Sequence, residues 1–336
     1  MAGPTMEDVA ARAGVSRALV SLVFNDSPKV SERRRAAVLA AAAELGYQPH
    51  AMAKALASRT STVLGVLVSD LRNTFFADVI EGLDGAATQA GFELVLNTGS
   101  RSPAREADAL RRLLSFRPAG VVLLSPVLAA SAIAAAARRV PVVLVSRGSR
   151  QPGVDTVNDD GVSGARLAVE HLISLGHRRI AHLDGGTATA AAARRKGYRQ
   201  AMAAHDLPAR VLPSEHTDTA GEKAVRALLG TVEGDDVPTA LFAGNDFNAF
   251  GAISALEEAG LRVPEDVSVV GYDNTSLAAL RRVSLTTVDQ PRMEMGRLAV
   301  ETLLERVRGE RAEPVRQLLR PTLVVRGTTC PPSGSD

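Results

Sequence analysis

The sequence predicts an N-terminal all-α helix-turn-helix headpiece followed by an α/β core of two doubly wound parallel-sheet subdomains. Two observations carry this. Residues 5–46 divide into three short amphipathic segments, each opened by a capping residue and separated by turn residues. Further on, apolar runs recur in two sets: Val63–Val68, Leu94–Leu96, Val121–Leu124 and Val142–Val145, then Ile180–Leu183, Val211–Leu212, Ala240–Ala243 and Val267–Val270. Within each set their starts lie 21 to 31 residues apart, the spacing of βαβ units.

In the headpiece, Thr5-Met6-Glu7-Asp8 has the form of a capping box, in which a hydroxyl and a carboxylate each satisfy an orphan amide. Met6, Val9, Ala10 and Ala13 follow at helical spacing, and Gly14 ends the helix. Ser16 opens a second helix, Arg17 to Phe24, with Leu19, Val20 and Val23 facing inward. Ser31 opens a third, which stops at Gly46. Two helices joined by a Gly turn with a third beneath make helix-turn-helix geometry. The outer side of the second helix carries Ser16, Arg17, Ala18, Ser21, Leu22 and Asn25. Arg17 can bond a guanine edge bidentately, and Ser16, Ser21 and Asn25 can reach phosphates. Leu22 offers only an apolar contact, such as to a thymine methyl.

The charge distribution agrees. Residues 1–60 hold eight Lys/Arg against five acids, while the other residues nearly balance, for a net charge of +2 overall. A basic head on a neutral body is the footprint of a nucleic-acid contact.

In the body the apolar runs are continuous, as in parallel strands covered on both faces. Helical stretches lie between them, for example Phe76–Ala90, Gly164–Leu175 and Asn248–Ala259. Late segments near Thr287–Arg308 and Leu319–Val325 cross back, making each subdomain discontinuous. Ligand belongs in the crevice at the strand carboxyl ends.

Several classes are set aside. With 46% apolar and 23% charged residues the chain is ordinary globular protein. No run suits a membrane span and no secretory signal is visible, so the chain reads as cytoplasmic. One cysteine, Cys330, allows no internal disulfide, and the six histidines show no metal spacing. His177 reads as a helix C-terminal cap, and Asp159-Asp160 as partners of the helix N-terminus before Gly164. Asp184-Gly185-Gly186-Thr187 reads as a turn, with a phosphate cradle as the alternative. No catalytic motif appears, and no cofactor is expected.

The motifs Asp8-Val9-Ala10, Ala13-Gly14-Val15-Ser16, Val20-Ser21, Asn25, Val30-Ser31 and Leu45-Gly46-Tyr47-Gln48-Pro49 resemble the headpiece of the LacI/GalR family of transcriptional regulators. Further matches run through the body: Leu175-Gly176-His177-Arg178-Arg179-Ile180, Gly197-Tyr198, Gly244-Asn245-Asp246, Val267 to Asp273 and Leu285 to Gln290. The resemblance spans about Thr5 to Thr328. It implies a core of periplasmic-binding-protein architecture and a second helix lying in the major groove, with Thr5, Lys29, His50 and Ala53 as further DNA contacts. It implies a hinge helix ordering on DNA, with Leu56 wedged into the minor groove. His50 stands where asparagine is common, and Leu22 where an arginine often reads a base, so the operator sequence does not transfer.

The implied domains are a headpiece (1–48), a hinge helix and linker (49–60), a ligand-binding and dimerisation domain (61–329) and a tail (330–336). The subdomains are expected at 61–158 plus 288–317 and 159–287 plus 318–329. Candidate ligand groups at strand ends are Asp70, Asn73, Phe75, Phe76, Ser125, Arg147, Arg194, Asn245, Asp273 and Gln290. In relatives, residues at the places of Arg194 and Asp273 hold sugar hydroxyls or a purine. Ser146 stands where many sugar-binding relatives carry aspartate. The implied function is a homodimeric repressor of a carbohydrate-utilisation operon, binding palindromic operator DNA under control of a small-molecule effector, taken as a sugar. The alternatives are an activator or corepressor-dependent regulator answering to a nucleobase or a protein co-regulator, and a sugar-binding receptor without a DNA role.

Overall fold

The computed structural model describes residues 4–24, 27–47, 61–232 and 234–333. The candidate DNA contacts Asn25, His50, Ala53 and Leu56, and the whole hinge segment 49–60, lie outside the described residues. The chain divides into two units, residues 1–62 and 63–336.

The first unit holds helices α1 (Met6–Ala13), α2 (Arg17–Phe24) and α3 (Glu32–Leu45). Thr5 Oγ1 accepts from the Asp8 amide at 3.3 Å, and Asp8 Oδ2 accepts from the Thr5 amide at 2.8 Å. Thr5 Oγ1 also donates to Asp8 Oδ2 at 2.7 Å, and this bond, with that from the Thr5 amide, holds the Asp8 carboxyl below the usual carboxylate range. Gly14 and Gly46 end α1 and α3 at φ 65° and 64°, where a side chain would be strained. Ser31 occupies the N-cap of α3, but its hydroxyl makes no capping bond. Instead Arg35 ties the intervening turn down by donating to the Ser27 and Val23 carbonyls. Val9, Val20, Val23, Val30 and Val38 make the core, with Leu19 at its margin.

The second unit is built from strand and helix in alternation. Its elements are β1 (Val63–Val68), α4 (Phe75–Gln89), β2 (Glu93–Thr98), α5 (Pro103–Ser115), β3 (Gly120–Leu124), α6 (Ala130–Ala137), β4 (Val142–Val145) and β5 (Val154–Asp159). There follow α7 (Gly161–Ser174), β6 (Ile180–Leu183), α8 (Ala191–Ala204), β7 (Arg210–Leu212), α9 (Asp218–Leu229), β8 (Ala240–Ala243), α10 (Asp246–Glu258) and β9 (Ser268–Asp273). The last are β10 (Thr286–Asp289), α11 (Arg292–Val307), β11 (Arg316–Leu319) and β12 (Thr322–Val324). One sheet has the order β2-β1-β3-β4-β5-β11 and the other β7-β6-β8-β9-β10-β12. Both repeat one doubly wound pattern, so each has a switch point beside its first strand. Every pairing is parallel except β10 with β12.

The chain crosses between the sheets three times, after Asp159, Asp289 and Leu319. These crossings fall one or two residues beyond the expected boundaries. Asp289 still pairs with Asp273, and Leu319 still pairs with Asp159, so each strand runs on to its last partner. Leu319–Val325 is not one run: Arg320-Pro321 divides it between the two sheets. The first crossing is fastened by Tyr272 Oη, which donates to Asp159. In the first sheet Asp155, fully buried, accepts from Arg306 Nε (2.6 Å), Arg311 Nη1 (2.8 Å) and the Val315 amide (2.7 Å). The His177 amide closes the C-terminus of α7, donating to the Leu172 carbonyl at 3.1 Å, while its side chain does other work. Its ring is buried and lies 2.9 Å from Thr239 Oγ1, 3.1 Å from Ser268 Oγ and 2.9 Å from the Cys330 carbonyl, joining three chain segments. Among the described residues no helix is long and apolar enough to cross a membrane.

Candidate nucleic-acid interface and ligand cleft

On the first unit, α2 buries Val20 and Val23, which turns its other side to solvent. Ser16, Arg17, Ala18 and Leu22 are exposed there and Ser21 is half-buried; Thr5 and Lys29 are exposed nearby in sequence. Ser16 Oγ accepts from the Leu19 amide at 3.3 Å and opens the helix. Arg17 Nε lies 2.8 Å from Glu7 Oε1. Both partners are largely exposed, and such a pair contributes little, so Arg17 is held only lightly in the absence of another anion.

On the second unit, a cleft of about 570 Å³ opens at the carboxyl ends of both sheets. That is the size range of small-molecule sites. Asp70, Phe76, Ser125 and Arg147 line one wall, and Gly185, Thr189 and His216 the other. Two residues, Arg101 and Thr189, make polar contacts that bridge the walls. Arg101 Nη2 stands 3.7 Å from Glu215 Oε2. Thr189 Oγ1 donates to the Ser146 carbonyl at 2.6 Å and lies 3.2 Å from Ser125 Oγ.

Beneath the first wall Glu106 is fully buried. It accepts from Ser69 Oγ (2.8 Å) and from the Val127 amide (2.7 Å), tying the loop after β1 to the loop after β3. Burial raises its carboxyl pKa, while these bonds and Arg147 pull the other way. Arg147 itself donates Nη1 to the Pro126 and Leu128 carbonyls, so its guanidinium also fixes that loop. Asn73 Oδ1 accepts from the Phe75 amide at the start of α4. Phe75 does not line the cleft. It packs into the core between α4 and α11, edge-on to Phe76 with ring centroids 5.2 Å apart.

Arg194, Asn245, Asp273 and Gln290 form no part of the cleft lining; all four are buried. Arg194 Nη1 donates to the Gly244 carbonyl at 2.5 Å, Nη2 lies 3.4 Å from Asp273 Oδ1, and the guanidinium carbon sits 3.7 Å over the Tyr272 ring. Gln290 Nε2 donates to the same Asp273 oxygen at 2.6 Å. Asn245 Oδ1 is occupied capping α10. Burial pushes the Asp273 carboxyl up to about 7, against the pull of Arg194. Neighbouring Asp246, bonded to Thr275 and Thr287, is raised to about 6 by burial. The Asp159-Asp160 pair divides its work. Asp160 caps α7 by accepting from the Ser163 amide, and Asp159 holds Tyr272.

The sequence reading passed over His216, Arg101, Glu215 and Glu106. His216 sits in the loop after β7, its ring wedged where Cβ atoms on Gly185 and Gly244 would fall 2.0 and 3.0 Å from it. The Gly185 turn therefore makes room for an imidazole. His216 Nε2 is buried without a partner among the described residues, as are Ser146 Oγ, Arg194 Nε and Gln290 Oε1. Burial, with Arg194 and Arg101 nearby, holds the imidazole pKa well below its ordinary value, so the ring is neutral. The available signal was positional: Arg101 and His216 follow β2 and β7, as Asp70 and Ser125 follow β1 and β3.

Residues 5–50 match the family described as bacterial regulatory proteins, lacI family, and residues 169–329 match the periplasmic binding protein-like domain. The chain is 35% identical over 325 residues to the HTH-type transcriptional repressor PurR of Photobacterium profundum, covering 96% of this chain and 97% of that protein. A lac repressor dimer, solved bound to operator and the anti-inducer ONPF, superposes with a TM-score of 0.85 at 33% identity, over 98% of this chain and 100% of that one. The transcriptional regulator CelR, solved with cellobiose, gives a TM-score of 0.73 at 36% identity, over 97% and 99% of the two chains.

Proposed function

Since the chain belongs to the lacI family of bacterial regulatory proteins, and is a DNA-binding transcriptional repressor and not an enzyme, we propose that a small polyhydroxylated effector, a sugar, controls its operator affinity from the cleft. The observation that carries the proposal is the set of buried polar atoms without partners, Ser146 Oγ, Arg194 Nε, His216 Nε2 and Gln290 Oε1, at and behind a cleft of about 570 Å³. Unmade bonds to buried polar groups are costly, and a hydroxyl-rich ligand supplies both donors and acceptors. Arg194 and Asp273 together suit bidentate bonding to a diol. To reach them the effector has to open the contacts that bridge the walls.

Operator DNA is engaged by a homodimer, one α2 helix per half-site, with Arg17 and Leu22 as the base-facing side chains. The lac repressor dimer on operator supports this arrangement. The effector acts by linkage: it binds one arrangement of the subdomains better and shifts operator affinity without touching DNA. Leu56 is proposed as the hinge side chain that wedges the minor groove.

The cellobiose complex of CelR supports a sugar. The likeness to PurR favours a nucleobase, which would stack on Phe76. Calorimetry against a panel of mono- and disaccharides and of free nucleobases separates the two. Heat with a sugar that disappears in Asp273→Asn upholds the sugar reading; heat with nucleobases alone replaces it.

A further inference from the structure

We propose that the outer edge of the first sheet, strand β11, is a docking strip for an extended acidic peptide segment of a partner protein. The strand is terminal in its sheet and pairs only with β5. The amides of Thr156 and Asp160 donate to the carbonyls of Val315 and Leu319 at 2.9 Å each. The odd-numbered residues of the strand thus bond inward, and Arg316 and Leu318 turn their N–H and C=O groups outward. Those groups have no partner among the described residues. An open edge of this kind is a template for a further strand.

The side chains say what that strand carries. Leu318 is 66% exposed and stands between two hollows of about 470 and 590 Å³, with the exposed Leu167 of α7 beside it in the smaller. Arg166 and Arg320 line one hollow, and Arg150 and Arg316 the other. None of these four arginines has an ion pair among the described residues. The nearby acids are hydrogen-bonded elsewhere, Asp160 to Ser163 and Glu170 to His205 at 3.0 Å, although Arg166 is close enough to act on the Asp160 charge. Since strand side chains alternate, Arg316 and Leu318 share one face, and Arg320, just past the end of the strand, lines the same hollow as Leu318. A complementary strand carries acid, apolar and acid at alternate positions.

A second copy of the chain is a poor occupant, because its own edge brings arginine against arginine. Like charge on a short edge next to Pro321 opposes self-association through this edge. The same charge admits a strand of opposite sign, so one device disfavours the copy and selects the partner. Duplex DNA is also anionic, but its phosphates need neither Leu318 nor the outward backbone groups.

The test uses the full-length protein and a fluorescein-labelled, capped heptapeptide, Thr-Glu-Thr-Val-Thr-Glu-Thr, in fluorescence anisotropy at low salt. We expect saturable binding below about 1 mM. Leu318→Asp and the pair Arg316→Glu with Arg320→Glu should each weaken it about tenfold or more, with operator binding unchanged in gel shift. Replacing both glutamates of the peptide by lysine, or its valine by proline, should abolish binding. The first change reverses the charge, and the second removes a ladder donor. Binding that is absent, that survives these changes, or that non-operator duplex DNA displaces and matches in its dependence on the same residues overturns the proposal.

Discussion

Replacing Tyr272 by phenylalanine removes a single oxygen from a buried contact between the subdomains. Tyr272 lies in β9 of the second sheet with no exposed surface, and its hydroxyl donates to Asp159, the last residue of β5 in the first sheet. The ring stays in the variant, and with it the Arg194 contact at 3.7 Å. What is lost is a buried hydrogen bond to a charged acceptor, worth about 1.5–3 kcal/mol. We therefore expect Tyr272→Phe to lower the unfolding free energy by about 2 kcal/mol, with an unchanged denaturant slope. The chain has no tryptophan, so far-ultraviolet circular dichroism in urea is the assay. A companion variant fixes the cause. A Cβ on Gly164 of α7 would lie 2.2 Å from the Tyr272 hydroxyl. Gly164→Ala gains up to about 1 kcal/mol of helix propensity but loses about 1–3 kcal/mol to overpacking and displaces the hydroxyl as well. Because both changes break the same bond, the double variant should lose less than the sum of the two. A Tyr272→Phe protein within about 0.5 kcal/mol of wild type, or strictly additive losses, would refute the reasoning.

Arg17→Ala should weaken operator binding by about 1–3 kcal/mol and relax one base position per half-site, read by randomised-site selection. Asp155→Ala leaves Arg306 facing no carboxylate and Arg311 with Glu305 alone, and should cost about 3–5 kcal/mol in urea unfolding, far more than any exposed pair. Asp273 is pushed up to about 7 in the fold from an ordinary 3.8, so the folded state holds its proton longer than the unfolded state. Its contribution to stability is therefore full at acid pH and lost as pH rises through 7. Between about pH 4 and 7, wild type should lose stability relative to Asp273→Asn and level off by about pH 8; parallel curves would show that Asp273 titrates normally. Amide exchange around residues 50–57 should slow on operator binding, and Leu56→Ala should lose specific affinity while salt-sensitive non-specific binding persists.

The elements that could be read from sequence are those whose environment is uniform. Val63–Val68, Val142–Val145 and Ala240–Ala243 are covered on both faces, and their apolar runs are the strands themselves. β5 escaped because Val-Asp-Thr-Val-Asn-Asp does not look like a buried strand. Its burial depends on Arg306 and Arg311, which reach Asp155 from far along the chain. β11 and β12 merged into one apolar stretch because nothing local says that Arg320-Pro321 sends the chain from one sheet to the other. The exposed side of α2 was legible, since a period of 3.6 fixes which side Val20 and Val23 bury. Residues after strands were legible as cleft candidates, and Asp70, Ser125 and Arg147 line it. Side-chain direction was not: Phe75 turns into the core while Phe76 faces the cleft. Nor could sequence show His216 resting on Gly185 and Gly244, a contact among three loops.

The triple crossing also sets an order of assembly. The core of the first sheet takes Met295, Ala299, Val300, Leu303 and Leu304 from α11, and its last strand is β11. A ribosome that has made residues 63–159 has delivered only five of that sheet's six strands and none of that helix. Leu64, Val66 and Leu83 then lack their packing partners from α11 until translation has passed residue 304. The first subdomain to emerge thus stays open until translation is nearly finished, and the second gains its own last strand, β12, only after that. A nascent chain stalled before α11 presents an uncovered apolar face, on which holding chaperones should crowd and from which proteases should start.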